Sequence, residues 1–142
     1  MKTSPADTPR RGARPASNPR RLPASVVAAA RDGKIFGIRA GVAPHRFLGI
    51  WAVTVGDRVF VRSWNDKPTG WIRAFARDRR GSLQLSSGRV VAVRARPARS
   101  PGLLAEIDAA YAAKYNTPGS RVYVRGFATA QRRVRTLELL RR

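Results

Sequence analysis

The sequence contains no cysteine and only one histidine, His45, among its 142 residues. The absence of cysteine excludes a disulfide scaffold, catalysis by a thiolate and a zinc site built on cysteine. A single histidine also excludes a metal centre built on several imidazoles. The sequence therefore predicts no metal site.

Long apolar runs are missing as well. The longest candidate, Ile50 to Val55, has the length of a strand, whereas a membrane-crossing helix needs about 20 apolar residues. The apolar stretch that follows Arg20 and Arg21 is too short for a secretion signal and ends at Arg31-Asp32. We therefore expect a cytoplasmic protein without a membrane partner.

Acidic residues are scarce. Eight Asp and Glu residues stand against 29 Lys and Arg residues, so the formal net charge is +21. Nearly all the cations are arginines, whose planar fork matches phosphate, and this composition favours nucleic acid or a phosphorylated small molecule as a partner. Biased base composition of the genome is an alternative cause of the arginine excess.

The start of the chain differs in composition from the rest. From Met1 to Pro23 it consists mainly of proline, arginine, alanine and serine with one leucine, which is too little apolar surface to offset the entropy of ordering. We predict a disordered basic arm over residues 1–22. Residues 23–142 then form a single domain, since the chain is long enough for one core.

The domain shows strand patterns joined by short turns. Strands are predicted over 34–39, 47–55, 58–63, 83–86, 89–96 and 121–127, with hairpin turns at Gly56-Asp57 and Ser87-Gly88. The segment 133–140 fits either a strand or a helix. About six antiparallel strands with few helices favour a closed or nearly closed barrel of the mainly β class.

Three short helices are predicted around this barrel. The first covers Ala24 to Asp32 and is capped by Ser25. The second has Pro68 in its first turn and places Trp71 and Phe75 toward the barrel. The third opens at Ser100-Pro101, and its apolar stripe consists of Leu103, Leu104, Ile107 and Tyr111.

The densest group of polar and aromatic residues lies between Arg62 and Trp71, where a strand ends and a helix begins. Backbone N–H groups at a helix start favour an anion, so Arg62, Ser63, Lys67 and Thr69 are candidate phosphate ligands. Of the two tryptophans, Trp64 is the better ligand contact and Trp71 the better core residue. The alternative is a solvated loop without a ligand.

A second group lies on the loop between two strands. It contains Arg39, His45 and Arg46, and it is placed to close over the same pocket. His45 is a possible proton donor or ligand contact. A lone loop histidine is more often exposed or held by structural hydrogen bonds, so we assign it no catalytic role.

Several of these segments resemble a known family. The run from Ile38 to Tyr115 resembles the bacterial domain of unknown function family 2255, within the flavin-binding split-barrel group. The resemblance rests on 38–41, His45-Arg46 and 61–65. The spacing of Lys67, Pro68 and Trp71 is also similar to deazaflavin-dependent nitroreductases, and the group includes pyridoxamine-phosphate-oxidase-like proteins.

The resemblance implies a split β-barrel, a homodimer and a bound FMN or deazaflavin. The positions that hold the cofactor phosphate in that group fall here on Arg62, Ser63, Lys67 and Thr69. The two residue groups described above add Trp64, Trp71, Arg39, His45 and Arg46 as candidate cofactor contacts. The leading hypothesis is a flavin- or deazaflavin-dependent oxidoreductase of unknown substrate. The alternatives are a basic barrel that binds nucleic acid and a cofactor-binding relative without turnover.

Overall fold

The computed structural model describes residues 20–142, which form one seven-stranded antiparallel sheet with helices around it. The strands are β1 (Phe36–Ala40), β2 (Leu48–Ile50), β3 (Ala52–Val55), β4 (Arg58–Arg62), β5 (Arg80–Gln84), β6 (Val90–Pro97) and β7 (Thr136–Arg141). The helices are α1 (Ala24–Asp32), α2 (Trp71–Arg77), α3 (Pro101–Lys114), α4 (Pro118–Phe127) and α5 (Ala130–Arg133). The fold is therefore mainly β with short helices, as predicted, although it has seven strands instead of about six.

The strand order explains how the sheet becomes a nearly closed barrel. The order is β2-β1-β5-β6-β7-β4-β3, so the two edge strands are β2 and β3. These edges follow each other in the chain with only Trp51 between them. The predicted single strand 47–55 is thus two strands that pair with opposite ends of the sheet, and Trp51 lies where they separate.

Both predicted hairpins are confirmed. The β3–β4 hairpin turns at Gly56 and the β5–β6 hairpin at Gly88, and these glycines have φ values of 61° and 96°. A positive φ is strained for residues with a side chain, which is why glycine occupies both turns. Helix α1 also has its predicted bounds, but its N-cap residue is Pro23 and Ser25 makes no capping hydrogen bond.

The core lies on both faces of the sheet. Inside the barrel, Val26 and Ala30 of α1 pack with Val61 and Leu83, and all four are fully buried. On the outer face, Phe60 belongs to a second cluster formed mainly by α3 and α4. Because successive strand residues point to opposite faces, β4 is buried almost throughout.

Two predicted elements are different in the structure. The segment 121–127, predicted as a strand, belongs to helix α4, which begins with Pro118 after Thr117. Proline at a first helical position is favoured because its missing N–H needs no partner there. Most of the segment 133–140, which fits either a strand or a helix in the sequence, belongs to strand β7, which pairs with β4 and β6.

The second helix also starts later than predicted. It begins at Trp71 with Gly70 as its N-cap, so Pro68 lies before the helix and not in its first turn. Phe75 is fully buried as expected, and Trp71 packs against the same core while partly exposed. The loop that follows β4 is therefore longer than the sequence indicated.

Most of the predicted arm, residues 1–19, lies outside the described residues. At the start of the described part, Arg21 forms an isolated β-bridge with Leu140, and Leu22 is buried in the core. Contact with the barrel thus begins before residue 23. Within residues 20–142, no helix has the length and apolar character required to cross a membrane.

Candidate functional site

Two clefts adjoin each other beside the start of α2, and Trp71 lines both. The tryptophan cleft has a volume of about 320 Å³ and is lined by Gly49, Ile50, Trp51, Arg62, Ser63, Trp64, Asn65, Trp71, Tyr123 and Phe127. The loop cleft has a volume of about 440 Å³ and is lined by Ile38, Arg39, Ala40, His45, Arg46, Leu48, Thr69, Trp71 and Ala74.

Arg62 is the buried cation of the tryptophan cleft. It ends β4, and its side chain is 0% exposed. Its Nε donates to Thr136 Oγ1 at 2.7 Å, and its Nη1 donates to Asp108 Oδ1 at 2.6 Å and to the Phe127 carbonyl at 2.8 Å. Its Nη2 is the one buried side-chain nitrogen or oxygen among residues 20–142 that has no hydrogen-bond partner.

The charge of Arg62 is only partly compensated. Asp108 on α3 is its ion-pair partner, but the other oxygen of that carboxylate accepts hydrogen bonds from Arg133 Nε, at 2.8 Å, and Arg133 Nη2. Two guanidinium groups therefore share one carboxylate, and the group keeps a net positive charge. An unpaired donor on a buried cation is costly unless a ligand supplies an acceptor.

Trp64 forms a partly exposed wall of the tryptophan cleft. The guanidinium carbon of Arg132 lies 3.6 Å from the centre of its ring, and the rings of Tyr123 and Phe127 lie 5.4 and 5.7 Å away. Arg132 Nε and Arg135 Nη2 also donate to the Trp64 carbonyl, at 2.8 and 3.0 Å. The loop after β4 is thus held against α4 and α5, which fixes this indole.

Trp51 forms the opposite, rigid part of the same cleft. Its ring stacks on Tyr115 with centroids 4.2 Å apart and an angle of 8°. The Tyr115 hydroxyl lies 2.6 Å from the Lys34 carbonyl, to which it donates, and burial raises the pKa of Tyr115 to about 12. The tyrosine therefore remains a neutral donor at physiological pH and anchors Trp51 to α3.

The loop cleft is formed by the segment between β1 and β2. Arg39 Nη1 donates to the His45 carbonyl at 3.1 Å, and the Arg39 guanidinium lies 4.3 Å from the centre of the Phe47 ring. Both ring nitrogens of His45 lie near backbone carbonyls, those of Ala40 at 3.0 Å and Arg46 at 3.2 Å. These contacts hold the loop, so His45 is placed as a structural residue of the cleft wall.

The structure does not bring the nine predicted cofactor-binding residues together in one cleft. Arg62, Ser63 and Trp64 line the tryptophan cleft, and Arg39, His45, Arg46 and Thr69 line the loop cleft, with Trp71 between them. The predicted phosphate ligands therefore do not surround one point. Ser63 Oγ donates to the Asn65 carbonyl at 2.6 Å, and Lys67 lines neither cleft.

Sequence reasoning missed the aromatic walls contributed by Trp51, Tyr123 and Phe127. Trp51 lay inside a predicted continuous strand, and the other two lay in a segment predicted as a strand instead of helix α4. Helical spacing of Tyr123 and Phe127, four residues apart, was the signal that places both on one face. Asp108 was not recognised because its partner Arg62 is 46 residues earlier in the chain.

Gly126 gives a direct test of how Trp64 is positioned. A Cβ atom added at Gly126 would meet the Trp64 ring, with Cζ3 only 2.7 Å away, whereas one added at Gly119 of the same helix would meet nothing within 4 Å. We expect Gly126→Ala to displace the indole and shift the tryptophan emission spectrum. Gly119→Ala is the matched control and is expected to leave the spectrum unchanged. Identical spectra for the two variants would contradict the described packing of Trp64.

A family model and several solved structures match this chain. The family model described as "Uncharacterized protein conserved in bacteria (DUF2255)" matches residues 25–139, which confirms the resemblance predicted from the sequence. No curated protein matches the chain. Among solved structures, the conserved hypothetical protein Rv2991 from Mycobacterium tuberculosis is similar with a TM-score of 0.53 and 13% identity, over 87% of this chain and 82% of that one.

Two further solved structures have names that refer to a cofactor. A heme binding protein from Mycobacterium smegmatis gives a TM-score of 0.50 at 12% identity, over 85% of this chain and 52% of that one. This chain thus spans about half the length of that protein. A FAD-binding protein from Mesorhizobium loti gives a TM-score of 0.49 at 14% identity, over 85% of this chain and 89% of that one. At these identities, similarity concerns the fold.

Proposed function

We propose that this chain, which belongs to the DUF2255 family, binds a flavin or a deazaflavin across the two clefts. The aromatic ring system occupies the tryptophan cleft and the phosphate occupies the loop cleft. The observation that carries this proposal is the unpaired Nη2 of Arg62, a buried donor on a residue that lines an aromatic cleft. Nη2 is covered in the unliganded chain, and an acceptor atom of the ring system that displaces this cover would satisfy the donor.

The shape and chemistry of the clefts support a ligand of this class. Each has the volume of a small-molecule site, about 300 to 1,000 Å³ in general, and together they offer an apolar part and a polar part. Trp51, Trp64 and Trp71 provide faces and edges on which a planar ring packs. In the loop cleft, Arg46 and the Thr69 hydroxyl provide donors suited to a phosphate.

A bound flavin or deazaflavin would supply hydride chemistry, so the chain needs no nucleophile of its own. The residues of the two clefts bind this cofactor and orient its ring system. Arg62 provides a fixed positive charge, and the ion pair with Asp108 and the hydrogen bond to Thr136 hold it in place. The aromatic walls exclude water from the ring system. A role of this chain as an oxidoreductase therefore depends on its binding of the cofactor.

The phosphate position gives a test with a matched control. We expect Arg46→Ala to weaken FMN binding about tenfold, as for a lost charge-assisted hydrogen bond, and to leave riboflavin binding unchanged because riboflavin lacks the phosphate. Lys67→Ala removes the same charge from a residue that lines neither cleft, so it is expected to change neither affinity. Fluorescence titration of the purified protein with FMN, riboflavin and a deazaflavin measures these affinities.

Other outcomes of this titration are equally informative. If Lys67→Ala weakened FMN binding and Arg46→Ala did not, the phosphate would lie at the loop after β4, as the sequence alone predicted. A chain that binds heme but no flavin or deazaflavin would overturn the proposal. So would the absence of binding to any of these compounds at micromolar protein concentration.

A further inference from the structure

A third cavity lies along β6 and the end of β7 and shares no lining residue with either cleft. It is a groove of about 340 Å³, and five arginines line it: Arg20, Arg79, Arg94, Arg96 and Arg141. None of its lining residues is acidic. We call it the arginine groove, and neither the family match nor the proposed cofactor accounts for it.

The strand register explains why these arginines gather. In β6, Val93 and Ala95 are buried, so the alternation of a strand turns Arg94 and Arg96 outward. On the neighbouring strand β7, Leu140 is paired with Arg94 and lines the groove beside it, and Arg141 follows as the last residue of that strand. The backbone fixes the remaining two: the Arg79 carbonyl accepts from Ala95 N at 2.8 Å, and the Arg20 carbonyl accepts from Arg141 N at 2.6 Å.

The five arginines of the groove outnumber the two carboxylates, Glu138 and Asp78, that interact with Arg96 and Arg94. Arg96 Nη2 donates to Glu138 at 2.7 Å, but that carboxylate also binds Arg58. Arg141 Nε donates to the Arg21 carbonyl at 2.8 Å. Within residues 20–142, the side chain of Arg79 makes no hydrogen bond or ion pair. Guanidinium groups that line one groove carry like charges, which an anion bound between them would compensate.

We propose that the arginine groove binds an oligophosphate, a group of two or more linked phosphates. Arginine forks donate pairs of hydrogen bonds to phosphate oxygens, and linked phosphates offer more acceptors and more charge than a single phosphate to guanidinium groups from β6, β7 and the segments before α1 and β5. A chain of linked phosphates carries several negative charges and is long enough to lie along a groove. A free polyphosphate and the phosphate chain of a nucleoside triphosphate present this same chemistry.

The test uses the full chain and isothermal titration with inorganic triphosphate, ATP and orthophosphate. We expect triphosphate to bind at least 100-fold more tightly than orthophosphate. The double variant Arg79→Gln and Arg94→Gln is expected to weaken triphosphate binding at least tenfold. The control is the double variant Arg31→Gln and Arg89→Gln, which removes the same number of charges from exposed residues outside the groove. It is expected to change the affinity for triphosphate less than twofold.

The arms of the test separate the possible ligands. Tighter binding of ATP than of triphosphate identifies a nucleotide as the source, and equal binding identifies the phosphate chain alone; both support the proposal. Equal weakening by the groove variant and the control would show a diffuse charge effect and overturn it. Binding of a DNA duplex but not of triphosphate would also overturn it and assign the groove to a nucleic-acid backbone. The groove variant is expected to bind flavin with unchanged affinity. The result for the arginine groove is therefore independent of the result for the proposed function.

Discussion

Arg58→Met is expected to lower the free energy of unfolding by about 3 kcal/mol at neutral pH, because it leaves a buried carboxylate with half of its partners. Glu138 lies in the middle of β7 with a side chain only 2% exposed. Arg58 on β4 binds it through Nε and Nη2, at 3.0 and 2.8 Å, and Arg96 on β6 adds one hydrogen bond at 2.7 Å. The three residues thus connect the three neighbouring strands β6, β7 and β4.

The pH dependence of this loss follows from the pKa of Glu138. Burial acts to raise this pKa, but the hydrogen bonds from Arg58 and Arg96 outweigh it, so the pKa lies below its usual value. The carboxylate therefore stabilises the fold above the unfolded-state pKa of about 4.3, and the stabilisation is lost as the pH falls through the lower folded-state value. In Arg58→Met the pKa of Glu138 rises, so the difference in stability between variant and wild type is expected to narrow below pH 4.

Urea unfolding of each variant at several pH values measures both effects. Adding Glu138→Gln to Arg58→Met is expected to recover part of the stability at neutral pH, because no buried charge then remains unpaired. Arg73→Met is the control, since it breaks an exposed ion pair with Asp66, and we expect no measurable change. A loss in Arg58→Met that stayed constant from pH 7 to pH 3 would show that lost packing of the arginine stem, not the carboxylate, causes it.

The parts of the fold that the sequence predicted well have local causes. The turns at Gly56 and Gly88 need a positive φ, and the alternating patterns on either side of each turn set the strand register. Helix α1 was likewise predicted with the correct bounds because apolar spacing and Gly33 delimit it. Each of these features depends on residues close together in the chain.

The wrong elements depend on partners far away in the chain. In α4, the alternation of Val122 and Val124 suggested a strand, but Val122 is 55% exposed and Val124 packs on the second core cluster as a helix face. The break at Trp51 within the predicted strand 47–55 arises because β2 pairs with β1 and β3 pairs with β4. Local periodicity contains no information about such pairing.

The candidate site shows the same division. The sequence identified Arg62, Trp64 and Trp71 as neighbours in the chain, and the structure places all three on one cleft. It did not predict that Arg62 is buried against Asp108, a residue on a helix that the sequence analysis treated only as a core element. The binding of nucleic acid and the homodimer stay predictions, which the titrations above and light scattering test.

Phe75→Ala is expected to lower the free energy of unfolding by about 4 kcal/mol, which is typical for the loss of a fully buried aromatic ring. Phe75 is 0% exposed and is the one buried residue of α2. Its ring packs edge to face against Trp71 with centroids 6.2 Å apart. Since Trp71 lines both clefts, the variant is also expected to weaken flavin binding, and chemical denaturation with the same fluorescence titration measures both quantities.

Gly81 shows why α2 can lie so close to the sheet. A Cβ atom at Gly81 would lie 2.6 Å from the Phe75 ring and 2.6 Å from the Arg39 carbonyl, so Gly81→Ala is expected to cost about 2 kcal/mol by overpacking. In the Phe75→Ala background the ring contact is gone while the carbonyl contact remains, so the cost of Gly81→Ala should become smaller but not vanish. Gly49→Ala is the strand control, because its nearest contact, Ile35 Cγ2, is an ordinary 3.9 Å. Strictly additive effects of the two substitutions would mean that the clash with the Arg39 carbonyl on the neighbouring strand β1, and not the Phe75 ring, causes the cost of Gly81→Ala.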